Sequence, residues 1–338
     1  MKSVFIVGGT GYIGGEVLFG ILNAFTDEVK VTAMVKSQEK AQQLKKDTNN
    51  KISTIVGSLD DLDLIRKQIS ENEIVINAAS NNHMPSLEVI KEELVKKKKS
   101  CLFIQTSGAA VVAGSTDPKE YNPEKIYSDI DNIEEINTLS ENRPHRKADK
   151  LVMEIESLNP EHVKTVVISP STVFGIGNGW NNKISIQIPW VARAAVAHGS
   201  TFVVHKGDTR WSNVHISDFG DLYILILKRY LSGQEFASGT KGYYFGEGGR
   251  DHYWRDVSAR ASQYLFERKK LPTAELQQVM PEELLEKYKL PALFYGSNCR
   301  VKADLARTLG WSPRRSSDLD FNNDIKESID FMINQGMI

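Results

Sequence analysis

The sequence predicts an α/β fold, a doubly wound parallel sheet with a smaller C-terminal lobe. Apolar strand-like runs alternate with amphipathic helical patterns, and such near-continuous apolar strands are typical of a parallel sheet covered by helices on both faces. The chain of 338 residues is long enough to build two lobes. The predicted strands are Val4 to Val7, Val31 to Val35, Ile52 to Val56, Ile74 to Ile76, Leu102 to Gln105 and Val163 to Ile168.

The first strand leads directly into a glycine-rich turn. Gly8, Gly11 and Gly14 are spaced three apart and open the first helix. Gly8 allows a tight exit from the strand, Gly11 lets the backbone approach a pyrophosphate, and Gly14 lets the helix lie close to the sheet. The phosphates would bind free N–H groups at the helix N-terminus. The pattern predicts a dinucleotide-binding Rossmann domain, against the alternative of an ordinary turn. Further contacts would come from the residues between the glycines, Thr10, Tyr12 and Ile13.

The end of the second strand predicts which dinucleotide binds. A helix from Gly15 to Ala24 leads to a strand from Val29 to Val35, and Lys36 follows it. An acidic residue at this place favours NAD, whereas a basic residue accommodates the 2′-phosphate of NADP. No carboxylate follows the strand before Glu39, and Lys40 lies close by. We therefore expect NADP, with NAD possible and a solvated surface lysine as the alternative.

Composition excludes several classes of partner. A formal net charge of -1 gives no general attraction to nucleic acid or to an anionic membrane. The one strong charge run, Lys96 to Lys99, ends an amphipathic helix, where cations complement the helix dipole. Cys101 and Cys299 form neither a disulfide framework nor a metal cluster, which suits a reducing compartment. Without a signal-like N-terminus or a membrane-spanning apolar run, we expect a cytoplasmic protein with no metal.

Further motifs follow the strands in a fixed order. They are Gly57-Ser58-Leu59, Asn77-Ala78-Ala79, Thr106-Ser107-Gly108, Ser169-Pro170-Ser171-Thr172-Val173-Phe174-Gly175, Asn213-Val214-His215-Ile216-Ser217-Asp218 and Leu309-Gly310-Trp311-Ser312-Pro313. Together with Thr10 to Gly14, they resemble the extended short-chain dehydrogenase/reductase family over nearly the whole chain. That family includes nucleotide-sugar epimerase/dehydratase-like and dihydroflavonol-reductase-like proteins.

The resemblance implies a place for each part of the cofactor. Ser58 and Leu59 would lie beside the adenine, although Ser58 stands where an aspartate is common and is equally well explained as a turn serine. Ala78 and Ala79 would line the middle of the cofactor. The segment that passes the nicotinamide would be Pro170, Ser171, Thr172 and Val173.

The resemblance also implies two lobes. Residues 1–176 would form the NADP-binding domain, with a return segment at about 211–247. Residues 177–210 and 248–338 would form the substrate-binding lobe, and Trp211, Tyr253 and Arg300 could border the pocket. The long polar stretch from Gly114 to Arg143 is interpreted as an insertion over the ligand-binding edge.

The catalytic residues depart from the family pattern. The family uses a Tyr-x-x-x-Lys pair on one helix, and here Lys150 matches the lysine while Arg146 stands in place of the tyrosine. A literal match at Tyr121 and Lys125 has Pro123 between the partners, which would disrupt a helix. The serine region keeps Ser107 but carries Gly108 and Ala109 where related enzymes often have a further catalytic hydroxyl.

The remaining residues still permit catalysis. Arg146 would point with Lys150 toward the nicotinamide end, because residues four apart share a helix face, and could hold a substrate carboxylate or phosphate. A guanidinium keeps its proton, so Arg146 cannot be the acid. His145, oriented by Asp149, is the nearest group able to donate a proton near neutral pH. The alternative is that these residues only open a helix and pair locally.

We therefore expect an NADP(H)-dependent oxidoreductase or epimerase-type enzyme that acts on a small carbonyl or alcohol. The alternative is a non-catalytic NADP(H)-binding sensor or regulatory protein. Since the family commonly pairs the helix after the fourth strand with the dyad helix, a homodimer is expected. Its seam would consist of Leu87, Ile90, Leu94, Leu151, Val152 and Ile155.

Overall fold

The strands form one large sheet and three small ones in a computed structural model that describes residues 1–338. They are β1 (Lys2–Val7), β2 (Val29–Val35), β3 (Ser53–Val56), β4 (Ile74–Asn77), β5 (Cys101–Thr106), β6 (Tyr127–Ser128), β7 (Val163–Pro170), β8 (Thr172–Phe174), β9 (Thr201–Val204), β10 (Arg210–His215), β11 (Tyr243–Gly246), β12 (Arg250–Tyr253), β13 (Leu276–Val279) and β14 (Val301–Lys302).

Helices connect these strands along the whole chain. They are α1 (Tyr12–Ala24), α2 (Gln38–Asp47), α3 (Leu62–Glu71), α4 (Met84–Val95), α5 (Ile133–Thr138), α6 (Arg146–Leu158), α7 (Gln187–His198), α8 (Ile216–Leu231), α9 (Trp254–Glu267), α10 (Pro281–Tyr288), α11 (Ala292–Gly296), α12 (Asp304–Thr308) and α13 (Asp318–Asn334). None of them is both long and apolar enough to cross a lipid bilayer.

The large sheet confirms the predicted fold class. Its seven strands are all parallel and lie in the order β11-β7-β5-β4-β1-β2-β3. Strands β4 and β5 are buried along their whole length, because α1 packs against α8 and α4 packs against α3 and α6 to cover the two faces. The first helix begins at Tyr12 rather than at Gly15, so the glycine turn is tighter than predicted.

The chain leaves the large sheet after β7 and returns to it later. Strand β10 pairs with β8 and β12 in a three-stranded sheet, whereas α8 packs on α1 and β11 joins the edge of the large sheet. Helices α7, α9 and α13 pack together beside the two-stranded β9–β13 sheet. The proposed boundaries between the two lobes stay a prediction.

The polar insertion is anchored rather than free. Its strand β6 pairs with β14 near the C-terminus, and α5 follows. Asp129 accepts the backbone N–H of Phe245 at 2.9 Å and that of Leu305 at 2.8 Å, so one buried carboxylate ties the insertion to β11 and α12. The insertion is therefore placed against the C-terminal part of the chain.

The predicted dimer seam is wrong in its residues. Leu87, Ile90, Leu94, Leu151, Val152 and Ile155 are all buried within a single chain. They pack α4 and α6 onto each other and onto the sheet, because the apolar face of each helix is buried in the core of its own chain. Charged side chains such as Glu88, Glu92, Lys147 and Glu154 face outward on these helices. A homodimer through another surface stays a prediction.

Candidate active site

The glycine turn between β1 and α1 has the geometry that a dinucleotide requires. Gly8 has a φ of +89°, and a Cβ there would lie 2.6 Å from the backbone carbonyl carbon of Ala78. A Cβ on Gly14 would collide with the carbonyl oxygen of Gly8. Gly11 is the N-cap residue of α1 and has no side chain to cap the helix. The first N–H groups of α1 therefore remain available to an anion. The turn thus fits a pyrophosphate.

The ends of β3 and β4 lie in two different settings. The Ala78 backbone lies directly against Gly8, and its N–H donates to the carbonyl oxygen of Val7 at 2.9 Å. Ala78 and Ala79 therefore border the turn. The Ser58 N–H donates to Asp61 Oδ2 at 2.6 Å, so the backbone of Ser58 takes part in a local turn. Leu59 beside it packs against the core.

Positive charge collects where β2 ends. Lys36 is exposed and makes no ion pair. Ser37 caps α2, its hydroxyl accepting the N–H of Lys40 at 3.2 Å. Lys36 and Lys40 therefore lie at a helix N-terminus, a site that attracts anions.

The segment after β7 crosses the glycine turn. Ser171 donates its hydroxyl to the Gly246 carbonyl at 2.8 Å, at the point where Pro170 ends β7 and Thr172 and Val173 enter β8. Farther on, Tyr12 donates its hydroxyl to the Gly175 carbonyl at 2.6 Å, so the Tyr12 side chain binds this crossing segment.

Glu16 is a contact that sequence reasoning missed. Its carboxylate accepts the backbone N–H of Asn178 at 2.6 Å and the side-chain amide of Asn178 at 2.9 Å. The signal was a carboxylate within the otherwise apolar helix α1. The backbones of Gly15 and Gly179 also approach closely, since a Cβ on Gly179 would lie 2.9 Å from Gly15. This contact holds the crossing segment on α1.

The His145 side chain lies beside Gly108, one of the two positions at which related enzymes often have a catalytic hydroxyl. His145 precedes α6 with a φ of 67°, in the left-handed region that costs a non-glycine residue free energy. A Cβ on Gly108 would lie 2.9 Å from His145 Nε2. Because Gly108 has no side chain, the imidazole occupies the space beside it.

Burial changes the chemistry expected of His145. It lowers the pKa of the imidazole to about 4, and the buried Nδ1 has no hydrogen-bond partner. The expectation of an imidazolium that donates a proton near neutral pH is therefore wrong. At neutral pH the ring is uncharged and able to accept a proton.

Asp149 does not orient His145, which corrects a second expectation. Its Oδ2 accepts the Ser107 hydroxyl at 2.7 Å and the Tyr243 hydroxyl at 3.2 Å. Full burial raises the pKa of the Asp149 carboxyl to about 7. The Ser107 hydroxyl is thus hydrogen-bonded to Asp149. No local pattern in the sequence pointed to Tyr243 as a further partner.

Arg146 and Lys150 do not point the same way. Arg146 is only 2% exposed, and its Nη2 donates to the Asn137 carbonyl at 2.9 Å, so its predicted direction toward the nicotinamide end is wrong. Helical spacing sets the shared face but not the direction of a long side chain. Lys150 is half-exposed and pairs with Glu141 at 2.9 Å.

The literal Tyr-x-x-x-Lys match is not helical, which fits the expected effect of Pro123. Tyr121 and Lys125 lie in a loop before β6 and not on a helix. Tyr121 donates its hydroxyl to the Gly296 carbonyl at 2.8 Å, and Lys125 pairs with Glu135 at 2.7 Å.

Replacing Asp149 with asparagine is expected to remove a pH dependence of stability. The carboxyl has a pKa near 7 in the folded state and near 3.8 ordinarily, so its contribution is present at low pH and is lost as pH rises from about 4 to about 7. Urea unfolding measures the free energy of unfolding at both ends of this window. From the low-pH end to the high-pH end, that free energy should fall by about 1 kcal/mol or more further in the wild type than in Asp149→Asn. Titration of Asp129 and Asp324 cancels in this difference. The same dependence of unfolding free energy on pH in both proteins would contradict the raised pKa of Asp149.

A sequence model of the NAD dependent epimerase/dehydratase family matches residues 4–237, more than half of the chain. The protein belongs to this family. This family member is 25% identical over 326 residues to the oxidase ucsJ of Acremonium sp, covering 92% of this chain and 93% of that protein. It is 25% identical over 246 residues to the uncharacterised protein YLL056C of Saccharomyces cerevisiae, covering 69% and 73% of the two chains.

Solved structures show the same fold for this family member. The UDP-glucose 4-epimerase of Thermotoga maritima, solved with UDP-glucose, matches with a TM-score of 0.67 at 14% identity, covering 98% of this chain and 99% of that one. The dTDP-glucose 4,6-dehydratase DesIV of Streptomyces venezuelae, solved with NAD, matches with a TM-score of 0.69 at 14% identity, covering 99% and 98%.

Proposed function

We propose that the protein is an NADP(H)-dependent oxidoreductase or epimerase-type enzyme that acts on a small carbonyl or alcohol. One observation carries the proposal: the His145 imidazole fills the space beside Gly108, after the strand β5 that lies two places from β1 in the sheet. A proton acceptor and a dinucleotide-binding turn then share the carboxyl edge of one sheet. The relative ucsJ is named an oxidase, which is consistent with a redox enzyme.

The residues around the glycine turn can hold each part of the cofactor. The N–H groups of α1 would bind the pyrophosphate, and Lys36 with Lys40 would bind the 2′-phosphate of NADP. When bound, a nicotinamide dinucleotide supplies the hydride acceptor or donor. Lys150 would bind the nicotinamide ribose. An exposed ion pair is worth at most about 1 kcal/mol, so Lys150 can leave Glu141 at small cost.

The protonation state of His145 favours alcohol oxidation. Because its pKa lies well below neutral, the resting imidazole is uncharged and can take the proton from a substrate hydroxyl at Nε2. Nδ1 is buried, which leaves Nε2 as the nitrogen that a substrate can reach. The reverse reaction, reduction of a carbonyl, would start from a protonated imidazole, which the lowered pKa of His145 disfavours at neutral pH.

A sensor without turnover is the second candidate. Arg146, which replaces the family's tyrosine, donates to the Asn137 carbonyl instead of facing the site. Lys150 forms an ion pair with Glu141. Both contacts favour a protein that binds the cofactor without using it. Nicotinamide absorbance in the presence of small alcohols and carbonyls separates the two candidates, since only an enzyme changes it. Binding of NADPH without turnover across such a series would favour the sensor.

Lys36→Ala is expected to narrow the preference for NADPH over NADH roughly tenfold, because a charge-assisted contact to the 2′-phosphate is lost. Fluorescence titration of both cofactors measures the ratio. Lys30→Ala, at the opposite end of β2 and also exposed, is the matched control and should leave the ratio unchanged. Equal affinities of the unaltered protein for NADPH and NADH would contradict the NADP assignment.

A further inference from the structure

A polar cavity of about 280 Å³ lies between the insertion and the C-terminal part of the chain. One wall follows β5, one comes from the insertion and one from the residues just before β14. These walls include Val112 and Gly114, Tyr121 and Tyr127, and Asn298 and Arg300. Residues from both of the predicted lobes thus line the cavity, as expected of a substrate site.

Arg143 presents a fixed and unpaired positive charge to this cavity. Its Nη1 donates to the Val111 carbonyl at 3.2 Å and to the Ala113 carbonyl at 2.9 Å. No carboxylate forms an ion pair with it, and its Nη2 has no hydrogen-bond partner in the protein and is not buried. The guanidinium is therefore held in place with donors left over.

Arg300 is also held in place at this cavity, but unlike Arg143 it is ion-paired with a carboxylate. Its Nε donates to Asp251 at 2.6 Å and its Nη1 to the Pro123 carbonyl at 2.7 Å, which leaves Nη2 without a partner. The side chain is only 11% exposed. Two preorganised guanidinium groups on one small cavity are the arrangement that binds an oxyanion.

The charges on the cavity wall match a monoanion. The cations Lys125, Arg143 and Arg300 face the carboxylates Glu120 and Glu135, and Lys125 is already paired with Glu135. Arg300 is paired with Asp251 at 2.6 Å and lies 3.9 Å from Glu124, so Arg143 is the one lining cation without an ion pair. A dianionic phosphate would be repelled by the two glutamates, whereas a single carboxylate balances the remaining charge.

We propose that this cavity binds the carboxylate of a small organic acid, so that the substrate is a hydroxy acid or an oxo acid. The assignment of this ligand as substrate rests on the function proposed for His145. Arg143 precedes His145 by two residues, which places their Cα atoms at most about 7 Å apart. The carbonyls that fix Arg143 belong to the turn that begins beside His145 at Gly108. His145 does not line the cavity itself, so a substrate held by its carboxylate would extend from the arginines past Val112 toward the imidazole.

Calorimetric titration of the full chain with mandelate tests the site, with mandelamide as its uncharged isostere and inorganic phosphate as the competing anion. Mandelate should bind more tightly than either. Arg300→Gln should weaken mandelate binding roughly tenfold or more, because a charge-assisted contact is lost. Arg210→Gln is the matched control: Arg210 also donates to the Pro123 carbonyl, at 3.0 Å, and pairs with Glu124, but it does not line the cavity.

Thermal unfolding shows whether each variant folds. Should Arg300→Gln be unfolded at the assay temperature, Arg300→Lys keeps the charge without the guanidinium fork and is expected to bind mandelate several-fold more weakly. Equal binding of mandelate and mandelamide, tighter binding of phosphate, or unchanged binding in the folded Arg300 variant would overturn the proposal. Arginine-dependent binding without turnover would leave the site standing while the proposed function fails. Turnover of neutral alcohols at the same rate in the Arg300 variants and in the unaltered protein would support the proposed function while the carboxylate site fails.

Discussion

His145→Ala is expected to lower kcat roughly 100-fold or more while the affinity for NADPH changes little. General-base catalysis by a positioned side chain contributes about 100-fold to 10,000-fold, and His145 would act on the reacting hydroxyl rather than on the cofactor. Steady-state kinetics with a turned-over substrate and a separate NADPH titration measure the two effects. Because burial holds the pKa of His145 near 4, the rate of alcohol oxidation should show no histidine titration between about pH 5.5 and 7.5.

The backbone of His145 calls for a matched control. Its φ of 67° is one that asparagine adopts far more readily than alanine, so His145→Asn removes the imidazole while keeping the left-handed turn. Gly108→Ala approaches the same contact from the other side, since its Cβ would lie 2.9 Å from Nε2 and would displace the ring. Full activity in both His145 variants would contradict the proposed role. Ser107 or a pocket-bound water would then be the next candidate.

Gly14→Ala is expected to weaken NADPH binding roughly 100-fold or more and to lower the free energy of unfolding by about 1–3 kcal/mol. The added Cβ would collide with the carbonyl oxygen of Gly8, a backbone atom that cannot move without opening the turn. Helix α1 would then shift away from β1, and its N–H groups would no longer converge on the pyrophosphate.

Gly9→Ala is the control within the same turn. A Cβ on Gly9 would have its nearest neighbour, Leu18 Cδ2, at 3.4 Å, which is an ordinary van der Waals contact. NADPH titration and thermal unfolding of both variants should therefore separate them clearly. Similar NADPH affinities for Gly14→Ala and the unaltered protein would show that the turn does not bind the dinucleotide.

The sequence by itself determined the parallel sheet and the place of the glycine turn. Strand runs such as Ile74 to Ile76 are buried on both faces and so carry their apolar pattern over consecutive residues. Gly8 and Gly14 are needed because of backbone atoms within the same short β1–α1 unit and at the end of β4. These constraints are local or repeat with a fixed period, and a pattern of residue types is enough to predict them.

Only the tertiary structure decided what the residues around His145 contact. Asp149 follows His145 by four positions, yet its partners are Ser107, 42 positions away, and Tyr243, 94 positions away. Arg146 turns to a carbonyl in α5, and the arginine cavity joins segments from three parts of the chain. Long polar side chains bind whichever partner the fold brings near, and burial then sets their pKa values. Neither the partner nor the burial is written in the local sequence.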